Sequence, residues 1–231
     1  MKQAIIFHQS FLRKAKHFFL FFLILLALLT FYGCKKTIDL CDYVSEYRSN
    51  VLWYEEEGLT VKAHDVAKEY PYLADGYKGE MTRRAELFIT APTGTESCHV
   101  HFNAGGIEHT GEASFDSVKK QFYYSCAADL SQTQTLSVTL RLDDTEKKID
   151  LTSIKTDGLL NLKQLIDSLF EKEDELLKTL VDKNEFVGEL YVRLLYEEDC
   201  YFYVGVVDRQ GKITAFLMDG ETGEILAKRN P

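Results

Sequence analysis

Three histidines raise the first chemical question in this sequence. His99 and His101 alternate within Cys98-His99-Val100-His101-Phe102, so both project from the strand face opposite Cys98, Val100 and Phe102. His109 follows across Gly105-Gly106, a pair suited to a tight hairpin turn, with Glu108 beside it. Two imidazoles at i and i+2, with a third across a turn, form a ligand set for zinc or copper. Three such ligands around an open position would be hydrolytic geometry. Glu108 and His109 point to opposite faces of one strand, so only one of them could join the set.

Other reactive groups are less ordered. Carboxylates cluster in Glu55-Glu56-Glu57, Asp143-Asp144 and Glu197-Glu198-Asp199. Glycoside hydrolysis needs two carboxyls held across a cleft, whereas these runs fall where turns are expected and read as solvated loops. The sequence has no G-x-S-x-G turn, no EF-type calcium spacing and no phosphate or dinucleotide glycine fingerprint. Tyr123, Tyr201 and Tyr203 are candidates for outward positions on a sheet, where exposed tyrosine serves protein and glycan contacts. Cys41, Cys98, Cys126 and Cys200 could form disulfides in three full pairings, or pack as buried thiols.

The elements that must position these residues change character along the chain. Residues 51–155 read as short strands punctuated by turns, the pattern of an antiparallel β-sandwich. Residues 159–181 carry leucines and isoleucines at helical spacing, with Lys163, Asp167, Glu171, Glu175 and Lys178 on the other face. That predicts one amphipathic helix of some six turns, with Asp157 as its cap. Three strands and a short closing one follow, separated by Asp208-Arg209-Gln210-Gly211 and by a turn over 219–223. The expected fold class is α+β: a β-sandwich domain over 51–155, then over 156–231 a long helix packed on an antiparallel β-meander.

Residues 1–34 resemble the leader of bacterial lipoproteins processed by signal peptidase II. Arg13, Lys14 and Lys16 precede an apolar run over 18–32, and Gly33-Cys34 follows at once. The run of 15 residues is short of the ~20 that span a bilayer as a helix. The resemblance implies that residues 1–33 are removed, that Cys34 is lipidated, and that 34–50 tether an extracytoplasmic body to the membrane. The chain has 27 Lys+Arg against 36 Asp+Glu, a net charge of -9. Lys2, Arg13, Lys14 and Lys16 all lie in the leader, so the remainder would carry -13. Such a body is a poor partner for nucleic acid and is repelled by anionic lipid, which leaves the acyl chains as the attachment.

Residues 157–229 resemble the PepSY group of small modules, in their helix-then-meander order and in Asp208-x-x-Gly211 followed by Asp219-Gly220-Glu221-Thr222-Gly223-Glu224-Ile225-Leu226. Such modules are regarded as non-catalytic and occur in secreted proteins and peptidase propeptides. Tyr124-Ser125-Cys126, and the spacing from Cys41 to Trp53, resemble the immunoglobulin fold, which implies a core position for Trp53. The expected function is a non-catalytic, lipid-anchored binding protein of the cell envelope, without a cofactor, whose partner is an envelope protein or glycan. A metal-dependent envelope hydrolase using His99, His101 and His109 is the alternative from another class. The PepSY resemblance implies a third, a regulator or inhibitor of an envelope protease.

Overall fold

Alternating apolar and polar residues draw most of the chain into strands. The structure, a computed structural model, describes residues 38–231 apart from 57, 71–78 and 184. The candidate lipidation site Cys34 lies outside the described residues. Nine strands build the first half: β1 (Val44–Glu56), β2 (Leu59–Glu69), β3 (Met81–Thr90), β4 (Cys98–Ala104), β5 (Ile107–Glu112), β6 (Ser114–Asp116), β7 (Gln121–Cys126), β8 (Thr135–Leu142) and β9 (Thr145–Ser153). They pair antiparallel in the order β6-β7-β3-β2-β1-β9-β8-β4-β5 and curl into a nearly closed, barrel-like sheet. The closure is made by packing: a Cβ on Gly111 of β5 would stand 2.8 Å from the Tyr124 ring of β7, so only glycine lets the two edges approach.

The second half places two helices, α1 (Leu162–Lys172) and α2 (Asp174–Thr179), before a small hairpin of β10 (Val181–Asp182) and β11 (Glu185–Phe186). A meander of β12 (Glu189–Tyr196), β13 (Cys200–Val207), β14 (Ile213–Asp219) and β15 (Ile225–Arg229) completes the chain. β1 is long enough to serve both halves. Its start runs parallel to β12, pairing Val44 with Leu190 and Arg48 with Arg193, while Leu52 and Trp53 pair with β9. Its other edge is taken by β2 throughout. One hydrophobic cluster fills the barrel around Leu52, Val61, Leu87, Phe102 and Leu140. A second lies between the helices and the meander around Leu165, Ile166, Leu169, Phe202 and Phe216.

The expected α+β fold is overturned. Among the described residues the protein is mostly β, with 57% in strands and 11% helical, and only one helix reaches seven residues. The long helix breaks because Glu171-Lys172-Glu173-Asp174-Glu175 is charged for more than a full turn. A continuous helix would aim position 173 at the core, four residues after the buried Leu169. Glu173 instead leaves helical geometry at φ -120°, ψ 34° and bonds Lys228 on β15 at 2.7 Å. The cap of α1 is Asn161, not Asp157: Asn161 accepts from the Gln164 amide and Gln164 returns a bond to the Asn161 amide, both at 3.0 Å. Two stacked sheets do not form because β1 joins β2 and β9 edge to edge, making one continuous curled surface.

The last turn of the meander is tied to the helix layer. Asp219 accepts from the Glu221 and Thr222 amides and from the Thr222 hydroxyl. Gly223, at φ +67°, presents its carbonyl to Ser168 Oγ and Lys172 Nζ at 3.0 and 2.7 Å. The turn motif in the sequence therefore fixes α1 against the meander.

Candidate functional site

A bulge in β1 builds the site. Opposite β2, Arg48 stands across from Val66 but Asn50 across from Asp65, so Ser49 is the extra residue. An uninterrupted strand would group Arg48 with Asn50 and Leu52 on one face. The bulge reverses the parity. Arg48, Val51 and Trp53 face outward, while Asn50 and Leu52 are sealed in the barrel. On β2 the alternation is regular, so Lys62 and His64 face outward opposite Trp53 and Val51, and Val61 and Ala63 go to the core.

These outward side chains form one wall of a groove of about 530 Å³. Leu194, Leu195, Tyr196 and Glu197 of β12 and its end form another, with Tyr201, Leu217 and Leu226 beyond them. The volume falls within the range of small-molecule sites, as does the mixture of apolar walls with a few polar groups. Trp53 is part of its lining. Tyr196 meets it edge-on at 5.4 Å, and Lys62 Nζ sits 4.1 Å from its ring centroid. His64 packs on Phe88 at 4.9 Å, and Phe88 on Tyr123 at 5.2 Å, so an aromatic ledge continues across β3 and β7.

The groove's lining holds two cations, Arg48 and Lys62, against one carboxylate, Glu197, in a protein with net charge -9. The Arg48 side chain makes no hydrogen bond or ion pair among the described residues, and its Nε is buried without a partner. Burial pushes its pKa down, and the charge of Arg193 adds to that, against Glu46 and Glu86. The Nδ1 of His64 is likewise buried without a partner. Burial, then the charges of Arg48 and Lys62, depress the His64 pKa to about 3, so the ring is neutral at pH 7. Burial also lowers the Lys62 pKa, opposed by Glu197 and Glu55. Arg193, beside Arg48, is by contrast fully engaged. It grips Glu46 with two bonds of 2.6 and 2.9 Å and lies between the rings of Tyr191 and Tyr203. Burial pushes the Glu46 carboxyl up, but the Arg193 bonds and the surrounding cations outweigh it and hold its pKa below the usual range.

The three histidines read from the sequence do not converge. The turn at Gly105-Gly106 sets Ala104 opposite Ile107, which puts Phe102 opposite His109. His109 therefore stacks on Phe102 at 5.2 Å on the barrel side, while His99 and His101 leave by the other face. His101 has only Glu108, 3.9 Å away and exposed. Among the described residues no group of three histidine, cysteine or carboxylate side chains is placed to hold a metal.

Other expectations are redistributed. Cys41, Cys98, Cys126 and Cys200 are free thiols. Burial pushes Cys98 up to about 11 and raises the other three, so none is a ready nucleophile. Cys41 packs on the helix-side cluster and Cys126 on the barrel cluster, and Trp53 faces the groove, which is not the arrangement the immunoglobulin resemblance implies. Asp143 bonds the Glu96 and Ser97 amides and so ties one loop to another. Tyr201 lines the groove, while Tyr123 and Tyr203 lie half-buried on the ledge and beside Arg193.

Sequence reading missed Arg48, Lys62 and His64. The pair Lys62 and His64 carried a usable signal, two polar residues alternating with Val61 and Ala63. Arg48 carried none, because its direction depends on the bulge. Comparison with known proteins returns no matching family model and no matching curated protein.

Proposed function

We propose that the protein is a non-catalytic binding protein, held on the extracytoplasmic side of a membrane through a lipid on Cys34, and that the groove around Trp53 receives its ligand. The observation that carries this reading is the groove itself, lined by leucine and aromatic side chains together with charged ones, with buried nitrogens on Arg48 and His64 that no protein group satisfies. Binding is favoured over catalysis by the lining, which holds no serine, threonine or cysteine and a single carboxylate, Glu197. Neither an activated nucleophile nor a carboxylate pair can be assembled from it.

Trp53 is the chain's only tryptophan, so its emission reports on the groove alone. Titrating the protein with fractionated envelope glycans and small molecules is expected to give a saturable change in that emission, lost in Leu217→Arg, which fills the groove. A ligand that raises the melting temperature of wild type and Leu217→Arg equally binds elsewhere and ends the assignment. For the anchor, Cys34→Ala is expected to move the protein from the membrane to the soluble fraction. Retention of the variant in the membrane overturns that part.

A further inference from the structure

We propose that the groove takes a small organic anion with an apolar or ring-shaped body, its acid group set against Arg48 and His64 and its body lying on Leu195, Leu217 and Leu226 beside Trp53. The inference rests on the groove being the binding site and names the chemistry of its occupant.

Complementarity carries the argument. Arg48 and Lys62 are the groove's cations, and neither is paired with a carboxylate among the described residues. Beside Arg48 the chain does pair its cations, since Arg193, directly opposite Arg48 in the ladder, holds Glu46 in a bidentate grip. An arginine left without its fork-shaped partner is matched by a carboxylate or phosphate oxygen pair. Neutral His64, opposite Val51 in the ladder, carries one N–H donor that such an oxygen can accept. Apart from Glu197 at the end of β12, the remaining lining is leucine, valine and aromatic, so an ion without a body would leave most of the groove unfilled. Lys62 already covers a face of Trp53, and the body therefore rests against the leucines. Attraction to the protein as a whole cannot explain an anion here, because the chain's net charge is -9.

The test uses Trp53 emission with four organic probes and one ion: octanoate and 3-phenylpropionate, their uncharged amides, and inorganic phosphate. The acids are expected to bind at least tenfold more tightly than the amides, and phosphate alone to bind more weakly than either acid. Arg48→Met, checked for an unchanged melting temperature, is expected to remove the preference for acid over amide. Lys62→Met supplies a second variant should the first fail to fold, and should narrow the same preference. Octanoate against 3-phenylpropionate separates a chain from a ring as the preferred body. Equal affinity for acids and amides overturns the inference and leaves the groove as a binding site. Phosphate binding as tightly as the acids overturns the need for an apolar body. Silence of Trp53 towards every probe overturns the inference and counts against the groove itself.

Discussion

The two faces of β1 and β2 treat their polar residues in opposite ways. On the inner face Ser49, Asn50 and Asp65 are buried and bonded. Asp65 accepts from Ser49 Oγ at 2.6 Å and from the Leu130 amide at 2.9 Å. Asn50 donates to the carbonyls of Leu130 and Thr133 and accepts from Ser153. Arg83 closes the cluster, 3.8 Å from Asp65 and 2.7 Å from Asp129. On the outer face Arg48 and His64, each one residue away in sequence, keep buried nitrogens with no partner. A chain that satisfies one set so completely has the means to satisfy the other. The difference marks the inner face as structure and the outer face as a place reserved for something else.

Removing an inner acceptor is expected to have the largest effect. Asp65→Ala would leave the Leu130 amide and Ser49 hydroxyl without an acceptor and Arg83 with one fewer carboxylate. Urea unfolding is expected to show a loss of about 3 kcal/mol or more. A loss below about 1 kcal/mol would mean the inner cluster is no more structural than the groove.

A smaller effect follows from His64. Its folded pKa of about 3 lies below the ordinary 6.5, so between those values the unfolded chain holds a proton that the folded one refuses. Stability therefore rises with pH across this window and is lost as pH falls below about 6.5, at up to about 1.4 kcal/mol per pH unit. Arg48 from β1 and Lys62 on β2 both oppose the proton, and the Phe88 ring from β3 supplies no countercharge. The lowered carboxylates Glu46 and Asp219 have ordinary values of 4.5 and 3.8, so their losses begin in more acid solution. Melting temperatures taken from pH 7 to 5 should fall in the wild type and stay nearly level in His64→Leu. Parallel curves would show that His64 is protonated without cost.

Much of the inner architecture was legible. Cys98, Val100 and Phe102 do face the barrel core, and the hairpins fall at Gly105-Gly106 and Asp208–Gly211. The start of β1 was not legible, because Ser45, Glu46, Ser49 and Asn50 are polar yet buried. Their partners arrive from far along the chain: Glu189 for Ser45, Arg193 for Glu46. Neither the parallel pairing with β12 nor the bulge at Ser49 leaves a mark in local periodicity. The helix break is visible only when the charged run at 171–175 is weighed against the leucines around it. The splitting of the histidines could have been counted from the two-residue turn, since opposing positions from 104 and 107 lead back to 102 and 109. The groove draws on six strands, and no single segment announces it.

The smallest expected change is the most discriminating. Arg48→Met replaces a half-buried, unpaired cation with an unbranched apolar side chain of similar reach. The desolvation that lowers the Arg48 pKa opposes its charge in the folded state, and removing the charge removes that opposition. Urea unfolding should therefore show a change between zero and a gain of about 1 kcal/mol. The loss of about 3 kcal/mol or more expected for Asp65 has the opposite sign. A drop of more than about 1 kcal/mol in Arg48→Met would give Arg48 a structural role and remove the asymmetry between the two faces. A stabilised variant that also loses its preference for acids would show a residue kept at some cost to the fold because a ligand uses it.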